Sequence, residues 1–140
     1  MKRYLALDVG GRRTGVAYGD DDVRIALPLP TLTHDSMEEL RKQVRVLVKE
    51  RQIDQLVVGL PLLPGGSEGS QAVLVREVAA PLQSEGIKVD FIDERHTTSR
   101  KSKGESRKDF RDAPRGDPDS AAASQILEIY WAIDNRNIMS

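Results

Sequence analysis

The gaps between apolar runs constrain this chain more than any other feature. Three runs, Arg3 to Asp8, Thr14 to Tyr18 and Val23 to Leu29, are joined by stretches too short to hold a helix. Gly10 and Gly11 supply the first turn, and Pro28 and Pro30 close the third run. Tight connections of this kind join antiparallel strands. The later runs, Gln55 to Leu60 and Ile87 to Ile92, are reached only through long stretches of helical periodicity, which favours parallel pairing and right-handed crossovers.

The first of those helices is expected after Ser36, which stands three residues before Glu39 at capping-box spacing. Met37, Leu40, Val44, Leu47 and Val48 recur on one face. Pro61, Pro64, Gly65 and Gly66 break the chain, and a second helix is expected near Glu68 to Ser84, ended by Gly86. Pro118 opens a third, with Ala122, Ala123, Ile126, Leu127 and Tyr130 as its apolar face. The order βββαβαβα predicts an α/β fold: a mixed five-stranded sheet with helices on its faces, the ribonuclease H-like order. With 140 residues, one domain over 1–140 is expected.

Between Thr97 and Asp117 Phe110 is almost the lone apolar residue, and 99–117 reads as a flexible basic loop. From Arg95 to Arg115 eight Lys/Arg face three acids, so a chain of net charge −1 still carries a basic segment able to attract phosphate. With no cysteine, disulfides and thiolate metal sites are excluded. The N-terminal apolar run is too short for a signal peptide, and no stretch reaches the ~20 apolar residues of a membrane helix. The cytoplasm is the expected address, with no membrane partner.

Three acids stand where elements leave the core. Asp8 ends the first strand, Glu94 follows the fifth beside Asp93, and Asp119 lies at same-face offsets from Ala122, Ala123, Ile126 and Leu127. Taken singly, each also fits a plain role: a turn, a solvated strand end, a charge on the helix dipole. Together they form a set that repels itself unless a cation joins it. Hard Mg²⁺ or Mn²⁺ suits such oxygen donors, and two such ions about 3.5–4 Å apart clamp the attacking and leaving oxygens of a phosphodiester.

Four segments of the sequence resemble the YqgF family, also called RuvX, of Holliday-junction resolvases and pre-16S rRNA nucleases. They are Leu5 to Ala17, Leu56 to Leu62 with Gly65 and Gly66, Asp93-Glu94-Arg95-His96-Thr97-Thr98, and Asp119 to Leu127. The resemblance implies a Mg²⁺- or Mn²⁺-dependent hydrolase with Asp8, Glu94 and Asp119 as catalytic metal ligands. It also implies nucleic-acid contacts from Arg12, Arg13, Gly65, Gly66, Arg95, Thr97 and Thr98. RNA, structured DNA and ribosomal precursor particles are the implied partners. The sequence departs from the family in its polar stretch after Thr98, at Thr14, at His96 and at Pro118. Two other readings remain open: a non-catalytic nucleic-acid or ribosome-associated module on the same fold, and half of an actin-like or sugar-kinase nucleotide site.

Overall fold

The computed structural model of the protein describes residues 1–94 and 118–139, with side chains as far as 133. The basic segment and the expected contacts Arg95, Thr97 and Thr98 lie outside the described residues. Five strands and three helices follow one another in the described chain: β1 (Arg3–Asp8), β2 (Arg13–Asp20), β3 (Leu27–Thr33), α1 (Met37–Glu50), β4 (Gln55–Leu60), α2 (Ser70–Ser84), β5 (Val89–Asp93) and α3 (Pro118–Met139). They build one mixed sheet in the order β3-β2-β1-β4-β5. The first three strands pair antiparallel, and β1, β4 and β5 run parallel.

Side-chain alternation divides the core in two. Leu5, Leu7, Val16, Leu56, Val58 and Leu60 pack on Leu40 and Val44 of α1 and on Ala72, Val75, Val78 and Leu82 of α2. Tyr4, Ala6, Ala17, Val57 and Ile92 pack on Ala123, Ile126, Leu127 and Trp131 of α3. Every residue of β4 is buried, as expected of a parallel strand covered on both faces. Among the described residues no helix is long and apolar enough to cross a membrane.

The expected third strand, Val23 to Leu29, is corrected to Leu27–Thr33, which runs through both prolines. It is one of the two outer strands of the sheet, where a residue lacking an N–H is tolerated. The last helix also needs correction. Its buried stripe runs through Ser120, Ala123, Ile126, Leu127 and Trp131, whereas Asp119 lies on the flank of that stripe and Tyr130 is half-buried.

The Ser36 cap of α1 forms, with the returning bond shifted one residue back from the expected capping box. Ser36 Oγ accepts from Glu39 N at 3.1 Å, and Glu39 Oε1 reaches back to Asp35 N at 2.6 Å. Pro81, in the last turn of α2, cannot donate to Glu77 O. Arg41 of α1 supplies that missing donor, its Nη1 lying 3.0 Å from the carbonyl.

Candidate active site

Parallel strands bring their C-terminal ends to one edge of a sheet, so Asp8, Gly65–Gly66 and Glu94 all emerge on the same side. The β1–β2 hairpin carrying Arg12 and Arg13 turns there too, and the end of β3 reaches it with His34. Alternation along β1 puts Asp8 on the face of Tyr4 and Ala6, beneath α3. The corresponding positions on β2 and β4 are Gly15 and Gly59.

These glycines are spacers for the acids on either side. Asp8 pairs with Gly15, and a Cβ on Gly15 would lie 1.8 Å from Asp119 O and 2.8 Å from Ser120 N. The backbone at the start of α3 therefore rests directly on β2. Leu7 pairs with Val58, so one step further Asp8 stands level with Gly59. A Cβ on Gly59 would lie 2.8 Å from Glu94 Cγ, 2.9 Å from Glu94 Cδ and 2.7 Å from Ile126 Cδ1. Glu94 is folded into that space and is only 3% exposed.

Ser120 fixes the entry of α3. Its buried hydroxyl accepts from Val16 N at 3.1 Å and donates to Leu29 O at 2.5 Å, inserting into the β2–β3 ladder beside a register shift at Thr14/Val16. Asp119, the residue before it, turns outward and accepts from Arg13 Nε at 2.9 Å. Both side chains of this ion pair are partly open to solvent, 58% for Arg13 and 37% for Asp119.

Thus the sheet register gathers the three acids on one face of one edge, but their side chains are not drawn together. Among the described residues no three Asp, Glu or His side chains are grouped so as to hold a metal ion. The donor chemistry fits a hard divalent cation, and the glycine cradle holds Glu94 over the strand position beside Asp8. Asp119 is the acid turned elsewhere, towards a guanidinium.

Arg12 and Arg13 line a pocket of about 440 Å³ with Thr33, His34, Asp35 and Glu39. His34, which the sequence reading passed over, is buried, and its Nε2 lies 2.9 Å from Thr14 Oγ1. Thr14 Oγ1 also accepts from Gly10 N at a long 3.4 Å. The His34 N–H donates to Arg12 O at 3.0 Å, closing the hairpin onto the end of β3. Burial pushes the His34 imidazole below its ordinary value of 6.5; Glu39, the Ser36 backbone and Asp35 oppose the shift more weakly.

Gly65 and Gly66 shape a short excursion after β4. Leu63 N donates to Ser67 O at 2.8 Å and Gly66 N to Leu63 O at 2.7 Å. Gly66 has φ +94°, which explains the glycine by conformation alone. Gly65 has open space where a side chain would stand.

The sequence model of the RuvX family, described as Holliday junction resolvase, matches residues 2–132. A protein of Chloroflexus aurantiacus, named as a candidate pre-16S rRNA nuclease, is 46% identical over 95 residues, which cover 67% of this chain and 62% of that protein. One of the same name from Anaeromyxobacter sp. is 37% identical over 132 residues, covering 90% and 93%. The chain thus aligns with less than two thirds of the Chloroflexus relative and nearly all of the other. Among solved structures, Thermus thermophilus RuvC in complex with a Holliday junction substrate superposes with a TM-score of 0.64 at 10% identity, over 96% of each chain. The yeast mitochondrial Holliday junction resolvase gives 0.56 at 12% identity, over 98% of this chain and 82% of that one. At such identities the likeness concerns the fold alone, and the fold is ribonuclease H-like.

Proposed function

The chain belongs to the RuvX family of Holliday junction resolvases, and from that premise we propose that it is a divalent-metal-dependent nuclease hydrolysing phosphodiester bonds. The observation that carries the reading is the convergence of register at Gly15 and Gly59, which sets Asp8 between Asp119 and Glu94. The proposed substrates are the 5′ end of pre-16S rRNA, branched DNA of the Holliday-junction type, or both. Precursor particles of the ribosome would be the partners, the cytoplasm the setting, and residues 1–140 one nuclease domain.

Asp8, Glu94 and Asp119 would hold Mg²⁺ or Mn²⁺. Bound there, the metal would polarise the scissile phosphate and stabilise negative charge on the leaving oxygen. The protein's own residues do the rest. Burial of Glu94 keeps water away from one donor and fixes its orientation. Arg12 and Arg13, on the hairpin at the same edge, attract the phosphates, and paired guanidinium groups suit that geometry. The open backbone at Gly65–Gly66 permits close approach of a strand. Arg95, Thr97 and Thr98, continuing directly from Glu94, would add further contacts.

Cleavage of single-stranded RNA and of a four-way DNA junction, with Mn²⁺ and with EDTA, tests the reading. Activity should require the ion, and Asp8→Asn should lower it at least about 100-fold. Full turnover in EDTA, or by Asp8→Asn, refutes it. The Arg13–Asp119 pair favours one alternative, a non-catalytic nucleic-acid-binding module in which Asp119 is neutralised permanently. Binding without turnover, unchanged in Glu94→Gln, would select that alternative.

A further inference from the structure

Arg13 connects two places the proposed function treats separately. Its Nε lies 2.9 Å from Asp119 Oδ2, and the same residue lines the pocket shared by Arg12, Thr33, His34, Asp35 and Glu39. The partners are 106 residues apart in sequence, so the fold makes this pair. Two features hold its geometry. The start of α3 is seated on Gly15, which fixes the backbone of Asp119, and Arg13 begins β2 two residues earlier.

We propose that Arg13 is a counter-cation for Asp119, exchanged for a divalent ion when the site is loaded and then paired with a substrate phosphate. This rests on the metal-nuclease reading of Asp8, Glu94 and Asp119. The exchange conserves charge. The guanidinium leaves one anion and meets another, while the carboxylate leaves one cation and meets another. It is also easily reversed, because an ion pair this open to solvent is worth at most a factor of about five in an equilibrium.

The pocket gives Arg13 somewhere to go. Arg12 is already there, so a phosphate entering would meet two guanidinium groups. Two acids also line it. Glu39 is committed to the Asp35 backbone N–H at the head of α1. Both carboxylates stay negative and would disfavour a phosphate on their side, directing the strand towards the arginines.

The sign of the test separates this role from a purely structural one. A residue that buttresses Asp119 would, on removal, weaken metal binding. A counter-cation that competes with the metal and repels it would, on removal, strengthen metal binding. Calorimetric titration of Mn²⁺ into the full chain, without nucleic acid, should give Arg13→Gln a Kd about two- to five-fold lower than wild type. Arg13→Lys, which keeps the charge, should stay near wild type. An equal or weaker affinity in folded Arg13→Gln overturns the proposal while leaving the nuclease reading standing. Absence of Mn²⁺ binding by the wild-type chain overturns both.

A second measurement needs no variant. The Arg13 Nε–H resonance of the wild-type chain should shift on saturation with Mg²⁺, as its acceptor changes. A resonance unmoved at saturation also refutes the exchange.

Discussion

Gly15→Ala tests the positional argument where the contacts are tightest. The new Cβ would sit 1.8 Å from Asp119 O, whereas real Cβ contacts essentially never fall below 3.0 Å, so the start of α3 must retreat by about 1.2 Å. The obstacle is backbone on both sides, and no rotamer change relieves it. The Ser120 hydroxyl moves with the helix. Its bonds to Val16 N and Leu29 O, 3.1 and 2.5 Å, would stretch beyond hydrogen-bonding distance. The buried Val16 N and the part-buried Leu29 O then lose their partner, at about 1–3 kcal/mol each, so a loss of about 2–6 kcal/mol is expected in urea unfolding. Any residual folded protein carries Asp119 displaced by about an ångström, and on the proposed role its kcat/KM should fall roughly 100-fold. Gly11→Ala, with nothing within 4 Å, is the matched control and should be neutral. A Gly15→Ala protein within about 0.5 kcal/mol of wild type would show that α3 does not rest on β2 as described.

Gly59→Ala separates site from scaffold. Its Cβ would press on the side chains of Glu94 and Ile126 rather than on backbone, so stability should fall by only about 1–3 kcal/mol. Turnover should drop more than stability explains, by roughly 100-fold, because Glu94 is forced out of its cradle. Comparing urea midpoints with kcat/KM decides it, and unchanged turnover would remove Glu94 from the site. The second test concerns pH. Burial holds folded His34 below 6.5, so the unfolded chain takes up its proton first as pH falls. Stability from this group is complete above 6.5 and declines between 6.5 and the lower folded value. The difference in unfolding free energy between wild type and His34→Gln should shrink across that interval, and a pH-independent difference would refute the assignment.

Much of this arrangement is legible in the sequence because it depends on neighbours in the chain. The Ser36 cap on Glu39 N, the two-faced burial of β4 and the parallel return to β5 follow from local pattern and connection length. Features set by the edge of the sheet or by distant partners are not visible in that way. Pro28 and Pro30 read as a stop, yet as β3 is outermost they sit within a strand. Helical offsets place Asp119 on the apolar stripe, but one residue decides otherwise. Ser120 enters the sheet because Val16 N and Leu29 O need a partner, and Asp119 is rotated to the flank facing Arg13. His34 carries no signal of its own, since its partner Thr14 lies 20 residues away on β2. A polar residue at Thr14 where β2 should be buried was the available hint.

Gathering carboxylates at a sheet edge raises a problem that the fold addresses with geometry before any ligand arrives. Three acids close together repel, and the repulsion grows as water is excluded. Here one acid is buried over a glycine, one ends a central strand and one is turned aside to an arginine. Contact distances fix two of them, the Asp119 backbone against Gly15 and the Glu94 side chain over Gly59. These contacts, with one side chain turned outward to a guanidinium, keep the three acids from forming a single cluster. On this argument the glycines, rather than the acids, set the geometry of the site. Replacing an acid by its amide should therefore abolish function while leaving the fold intact, and replacing either glycine should damage both.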